Sequence, residues 1–244
     1  MRIAIVSLFP ELIRSLCEHG VIGRAIDQGL VPVQTFDPRD FTKDKHRSVD
    51  DRPFGGGPGM VMRPPPLVDA ILAGKSHVGE GARVVYMSPQ GQAFNRDKAV
   101  ELAGLPGLVV VAGRYEGIDE RVIDGWVDEE VSVGDYVVSG GELPAALLLD
   151  AVLRHVPGIV GRSESVAQDS FEKGMLDCPH YTRPDNFLGR DVPDVLLSGD
   201  HAAIERWRRM QALKRTRDRR PDLFRALLTD GALSDDDLRL LDEN

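Results

Sequence analysis

Three short apolar runs, residues 82–87, 108–112 and 126–133, each end in a loop that contains glycine. The loops read SPQGQ at 88–92, GRYEG at 113–117, and a longer stretch, VSVGDYVVSGGELP, at 131–144. Helical patterns separate the runs, among them a polar-capped one at 95–103. Two earlier runs, 3–9 and 31–36, are likewise separated by helical patterns at 11–19 and 22–28. Alternating strands and helices imply a parallel sheet, because parallel neighbours need a long crossover. The loops after such strands gather at one edge, where ligands bind. The predicted fold class is therefore α/β, a parallel sheet with a ligand crevice at the carboxyl ends of its strands. Glycine in those loops lets bare backbone approach a flat or charged group. The same residues also suit plain, tight strand–turn–helix connections.

The third loop breaks at Gly134-Asp135, resumes a β-type run at Tyr136-Val137-Val138, and breaks again at Gly140-Gly141. Pro144 suits the first turn of the helix that follows. That helix, 145–155, is apolar on nearly every face and is predicted to be buried. Upstream, a charged stretch at 37–52 leads into FGGGPGM at 54–60 and a short helical pattern at 66–73. Neither GxxxxGK[ST] nor a strand-flanked GxGxxG is present, so phosphate-loop and dinucleotide readings fail. The glycine-rich segment reads as a mobile loop rather than a contact loop.

Beyond Pro157 the chain turns small, polar and aperiodic, which marks a linker. Asp200 is the expected N-cap of a helix at 202–216 with Ile204, Trp207 and Leu213 inward. Pro221 opens a second helix with Leu223, Phe224, Leu227 and Leu228 inward, and Ser234 with Asp237 forms a capping box for a last one. The expected domains are 1–159, a linker at 160–174, and a small helical domain at 175–244.

A net charge of −9 argues by itself against a nucleic-acid partner. The charge is uneven, however. Residues 201–225 carry nine Lys/Arg against three Asp/Glu, while 226–244 carry six acids against one arginine. That asymmetry predicts a basic surface, with Arg215, Arg217 and Arg220 as its nucleic-acid contacts. Two cysteines, Cys17 and Cys178, give no disulfide framework and fit a reducing cytoplasm. No cleavable leader and no apolar run of membrane-spanning length is legible, so no membrane partner is expected.

Few residues announce chemistry. Cys178 and His180 lie among prolines and read as packed structure. His155 suits the carboxyl end of a helix dipole. The other histidines lack ligand-like spacing, so no protein-held metal is expected. Arg154, four residues after Asp150 on an apolar helix, is either its ion-pair partner or an electrophilic group at the crevice edge. Asp169 on composition alone is a solvated acid in a linker.

Taken together, SPQGQ at 88–92, GRYEG at 113–117, SVGDYVVSGGELPA at 132–145, DSFEKGMLDCPHYTRP at 169–184 and LLSGDH at 196–201 closely resemble the bacterial tRNA (guanine-N1)-methyltransferases of the TrmD type, within the SPOUT class. The GGGPGM loop and the arginine-rich helix match as well. The resemblance runs from Met1 to the last helices. It implies a SPOUT-type parallel sheet with a C-terminal trefoil knot, a rare exception to unknotted topology. It also implies a homodimer that binds S-adenosylmethionine and methylates the guanine at tRNA position 37.

By the same resemblance the donor is held by Tyr86, Ser88, Pro89 and Gly91, by Gly113, Tyr115 and Glu116, and by a third loop. That loop supplies Ser132, Val133, Gly134, Asp135, Tyr136, Val137, Val138, Gly140 and Gly141, with Pro144. Gly59 and Arg114 fall on the substrate side, Asp169 matches the general base, and Arg154 matches the residue that steadies the guanine. Val133 and Val138 stand where larger aliphatic residues are expected in relatives. Magnesium dependence is implied too; Glu116 is a nearby carboxylate, but the sequence assigns no ligand set. Guanine N1 carries a proton near neutral pH, so a base and a cation near the exocyclic oxygen suit the chemistry. Two competing readings are a non-catalytic RNA-binding protein, which loss of Asp169 or Arg154 would have favoured, and a SPOUT enzyme acting on ribose or ribosomal RNA.

Overall fold

The computed structural model describes residues 1–160 and 168–242. The chain splits into two compact units, Met1–Gly161 and Arg162–Asn244. Residues 161–167, within the predicted 160–174 linker, lie outside the described residues.

In the first unit, β1 (Arg2–Val6), β2 (Val33–Phe36), β5 (Arg83–Ala93), β6 (Gly107–Ala112) and β7 (Glu129–Ser132) form one sheet in the order β2-β1-β6-β5-β7. Every pair in it is parallel. The strands alternate by side-chain face, as a period of two requires. Ile3, Ile5, Val85, Met87, Leu108 and Val110 pack against α1 (Pro10–Cys17), α2 (Gly20–Asp27), α4 (Arg96–Ala103) and α6 (Glu142–Leu153). Ala4, Val6, Val84, Tyr86, Val109 and Val111 face α3 (Pro64–Val78) and α5 (Glu120–Trp126). Both faces are therefore covered, which is why these strands read as continuous apolar runs. β6 is buried at every residue. At about 1.5–3 kcal/mol per fully buried aliphatic side chain, it is the most firmly held strand, and its carboxyl end is the fixed point for the loops.

Several elements depart from expectation. α3 is longer than 66–73, because three prolines sit in the first turn, where missing N–H groups cost little. Gly74 lets that helix continue over the sheet: a Cβ there would lie 3.1 Å from the Ala4 Cβ. Trp126 ends α5, a seven-residue helix capped by Asp119, so the strand predicted from 126 begins only at Glu129. SPQGQ is not a free loop. β5 runs through it to Ala93, slipping register between Met87 and Gln92 and re-pairing with Val131 and Ser132 of β7. Residues 136–138 form no strand. α6 starts at Glu142 and is not buried all round; Leu143 is 54% and Leu147 48% exposed.

Residues 54–60 join two short antiparallel strands, β3 (Asp50–Asp51) and β4 (Val61–Met62). This loop is bonded to its neighbour rather than isolated. The Glu116 N–H donates to the Met60 carbonyl at 3.0 Å, and the Met62 N–H to that of Gly117 at 3.0 Å.

The second unit contains a hairpin, β8 (Asn186–Phe187) with β9 (Arg190–Asp191), and helices α7 (Asp194–Leu197), α8 (His201–Arg219), α9 (Pro221–Thr229) and α10 (Asp235–Asp242). Its core joins Met175 and Cys178 to Ala212, Leu213 and Leu227. Asp200 caps α8 by accepting from the N–H groups of Ala202 and Ala203. Leu228, expected inward, is exposed, and Ile204 and Trp207 are only half-buried. The capping box forms: Asp237 N–H donates to Ser234 Oγ at 3.1 Å, and Ser234 N–H to Asp237 Oδ2 at 3.0 Å.

Arg209 of α8 grips the same carboxylate, Nε to Oδ1 at 2.7 Å and Nη2 to Oδ2 at 2.9 Å. That pair and the Ser234 contacts hold the Asp237 carboxyl well below its ordinary range, against a smaller opposing effect of burial. A depressed carboxyl stabilises fully above its unfolded value near 4 and loses the contribution as pH falls below it. Asp237→Asn should destabilise the second unit by about 1.5–3 kcal/mol at pH 7, as expected for a lost charged hydrogen bond. The difference from wild type should shrink in urea melts repeated below pH 4.

Candidate active site

The ends of β5, β6 and β7 enclose one cleft. Tyr86, Met87, Ser88 and Pro89 contribute the β5 side, and residues 113–117 the β6 side. From β7 and the chain beyond it come Val131, Ser132, Val133, Gly134, Tyr136, Val137, Val138, Gly140, Gly141 and Pro144. Fifteen of the seventeen expected donor-site residues line this space. Gly91 and Asp135 do not: a side chain at Gly91 would run into the Glu130 backbone, and Asp135 points to solvent. Gly117 and Val131 line it without having been expected, Met87 lines it between the expected Tyr86 and Ser88, and Arg114, assigned beforehand to substrate, lines it as well.

Backbone contact shapes the cleft. The chain leaves β7, crosses the end of β5, and returns to β6, where the Gly141 N–H donates to the Gly113 carbonyl at 2.8 Å. A Cβ at Gly141 would lie 2.7 Å from the Ala112 Cα. A Cβ at Gly113 would lie 2.8 Å from the Tyr86 ring. Tyr86 is the floor. Burial, helped by the Glu130 charge, pushes its phenol up to about 12. Tyr115 is half-exposed in the left-handed region at φ 63°, and its phenol is also raised, by burial and then by Asp50. Gly59, at φ 78°, stands against the Glu116 side chain, so the glycine-rich loop abuts the cleft.

Sequence reading missed one charged residue. Glu142, at the first position of α6, is buried, accepting from Ser7 Oγ at 2.8 Å and from Arg114 Nε at 2.8 Å. An acid at a helix start looks like an ordinary partner of the dipole, and nothing in the sequence separates it from a buried one.

Arg154 is the exposed C-cap residue of α6. At 1.5 Å per residue it stands about 15 Å along the helix axis from Pro144, which lines the cleft. Asp169 belongs to the second unit. There it lines a separate cleft of about 290 Å³ with Lys173, Asp177, His180, Arg208 and Arg209. Residues around Asp169 are tied into turns: the Phe171 N–H donates to the Met175 carbonyl at 2.7 Å, and the Asp177 N–H to Ser170 Oγ at 3.0 Å.

The ligand-type atoms of Asp177, Cys178 and His180 lie within 4.8 Å of one another. His180 Nε2 meets Asp177 Oδ2 at 2.7 Å, while burial, then the Asp177 charge, pushes the Cys178 thiol up. The trio thus forms a hydrogen-bonded His–Asp pair beside a packed thiol. The basic helix is partly self-neutralised. Arg217 bonds Asp218 at 2.8 Å, and Arg220 bonds Asp222 at 2.6 Å and lies over the Phe171 ring. Arg215 is half-buried. Among the described residues no helix is long and apolar enough to cross a membrane.

A parallel sheet covered on both faces, with a cleft at its carboxyl edge, defines an α/β fold of the class in which ligand sites lie beyond the carboxyl ends of the strands. Residues 1–226 match the family model described as tRNA (Guanine-1)-methyltransferase TrmD, and the chain belongs to that family. Curated relatives named tRNA (guanine-N(1)-)-methyltransferase are similar along the whole chain. One from Pseudomonas fluorescens is 54% identical, covering 100% of this chain and 96% of its own length. Others from Serratia proteamaculans and Escherichia coli are each 56% identical, covering 100% of this chain and 94% of theirs.

Because Gly141 has no room for a side chain, Gly141→Ala should force the third loop off β6. The expected cost is about 1–3 kcal/mol, as for other overpacked sites. Gly125→Ala is the control, since nothing lies within 4 Å of a Cβ at Gly125. Thermal melts of both variants check the difference.

Proposed function

We propose that this chain transfers a methyl group from S-adenosylmethionine to N1 of the guanine at position 37 of tRNA. It does so as a homodimer whose donor cleft is formed by a trefoil-knotted segment. The observation that carries the reading is the convergence of the register break in β5 and the loops after β6 and β7 on one cleft, in a chain that belongs to the TrmD family. As a member of that family it is a tRNA-modifying methyltransferase and needs a methyl donor.

The cleft residues fit such a donor. Val131, Val133, Val138 and Pro144 give apolar walls for a purine, and Gly113, Gly140 and Gly141 let the loops close on Tyr86, on Arg114 and on the end of β6, which shapes the space between them. Arg114 and Glu116 supply charge for the polar ends of the ligand. When bound, the donor supplies an electrophilic methyl carbon. The chain's own part is then positional and acid–base. Asp169 accepts the guanine N1 proton, and Arg154 stabilises negative charge on the exocyclic oxygen by a charge-assisted hydrogen bond. Arg215, Arg217 and Arg220 hold the tRNA backbone, two of them after exchanging an internal carboxylate for phosphate. The free thiols Cys17 and Cys178 suit a reducing cytoplasm.

The dimer is supported by an exposed apolar surface beside the cleft, with Val137 82%, Tyr136 56% and Leu143 54% exposed. Leu143, Leu147, Asp150 and Arg154 follow one another at helical spacing along the exposed side of α6. Two copies of such a stripe packed about a two-fold axis across its middle run antiparallel. The carboxyl end of one α6 then meets the amino end of the other. That arrangement carries the partner subunit's Arg154 toward the cleft that a chain's own Arg154 stands away from.

Co-expression tests the shared site. Asp169→Ala chains and Gly141→Trp chains should each be inactive as homodimers. If base and cleft come from different chains, a mixed dimer has one intact site. Random pairing makes about half the dimers mixed, so activity should return to about a quarter of wild type. No recovery, with mixed dimers verified by mass, would mean that Asp169 serves its own chain. Separately, Asp169→Asn should slow single-turnover methyl transfer at least tenfold, the lower range for a positioned general base being about a hundredfold, with donor affinity nearly unchanged.

A further inference from the structure

We infer that Glu142 is a positioning residue: its buried carboxylate holds the Arg114 guanidinium across the mouth of the donor cleft and thereby sets the affinity for the donor. The inference rests on the reading of that cleft given above.

The Glu142 side chain is 1% exposed. A carboxylate so far from water is tolerated only when it is paired and its oxygens are bonded. Both conditions hold. Oε1 accepts from Ser7 Oγ at 2.8 Å, and Oε2 accepts from Arg114 Nε at 2.8 Å. Ser7 is itself fixed, since its Oγ accepts the Phe9 N–H at 2.9 Å while its one proton goes to Glu142. The carboxylate also stands in the first turn of α6, where the helix dipole favours negative charge.

These contacts join three strand ends. Ser7 directly follows β1, Arg114 lies two residues beyond β6, and Glu142 closes the loop from β7. From its anchor on Glu142, Arg114 donates Nη1 to the Ser139 carbonyl at 3.1 Å. Its guanidinium carbon lies 4.3 Å from the centroid of the Phe9 ring. Gly140 leaves open the space through which the arginine passes; any side chain there would strike it. A planar guanidinium fixed at Nε, at Nη1 and on one face has a single orientation. Arg114 lines the cleft, so this orientation sets two things: the position of residues 139–141, and the direction in which positive charge meets a ligand that carries a free carboxylate.

Glu142→Gln preserves shape and removes the charge. By calorimetry with S-adenosylmethionine, the full-length variant should bind about tenfold more weakly than wild type, the scale of a lost charged hydrogen bond. Arg114→Gln should weaken binding comparably. In the Arg114→Gln background, adding Glu142→Gln should cost less than about twofold more, because the carboxylate acts through the arginine. A general structural role would instead give the same loss in both backgrounds. In the donor-free protein, the Arg114 Nε–H signal in nitrogen-15 NMR should exchange slowly, and Glu142→Gln should abolish that protection. Should Glu142→Gln not fold, Arg114→Lys carries the test: it keeps the charge but not the fork, and about tenfold weaker binding is expected. Donor affinity within twofold of wild type in Glu142→Gln or Arg114→Lys, or an undiminished loss in the double variant, overturns the inference. If wild type itself fails to bind the donor, the reading of the cleft fails instead. The Arg114 signal then still decides whether Glu142 holds the arginine.

Discussion

Where the Gly141 backbone meets the backbone of Ala112 and Gly113, no side chain can stand between them. That contact draws the chain leaving β7 back over the end of β5 to the end of β6, and the cleft is the space this return encloses. β6 can bear the contact because it is buried along its whole length, with apolar neighbours on both faces. Around this point the charges fall into place. Glu142 enters the interior only because Ser7 and Arg114 wait there to receive it, and Arg114 passes only because Gly140 yields room. The loops are therefore a constructed set rather than flexible tails.

The sheet was legible because burial on both faces leaves a continuous apolar signal. Residues 108–112 announce a strand wherever one begins to read. The loops were legible because glycine punctuates them. What was hidden was hidden for physical reasons. α5 is short and buries only Val122, so Trp126 looked like the opening of a strand. The extension of β5 through Ser88–Gln92 contains proline and glycine, residues that normally end a strand, and it survives here by slipping register against β7. The amphipathic character of α6 was masked because its outer stripe begins with two leucines, Leu143 and Leu147. Burial of Glu142 depends on two partners more than 25 positions away, beyond what local pattern carries.

Asp169 and Arg154 illustrate a different limit. Asp169 does not stand out by composition and is marked by resemblance alone, whereas Arg154 is marked as a charge on a mostly apolar helix and takes its role from the resemblance. Geometry adds a reason to look beyond one chain for Arg154, which lies most of a helix length along α6 from Pro144 of the donor cleft. In the proposed dimer, the unit with the cleft supplies orientation for the donor, and the unit with Asp169 and the basic helix supplies the base and the tRNA contacts. Methyl transfer would then wait until tRNA has brought both together, which protects the donor from idle reaction.

The central claim concerns a base nitrogen in tRNA, and mapping the transferred methyl tests it most directly. Unmodified tRNA bearing guanine at position 37 is incubated with the full-length protein and methyl-labelled S-adenosylmethionine, then digested and read by mass spectrometry. The account predicts label on a single base, as 1-methylguanine at position 37. Label on a ribose hydroxyl, on another base, or at another position would contradict it.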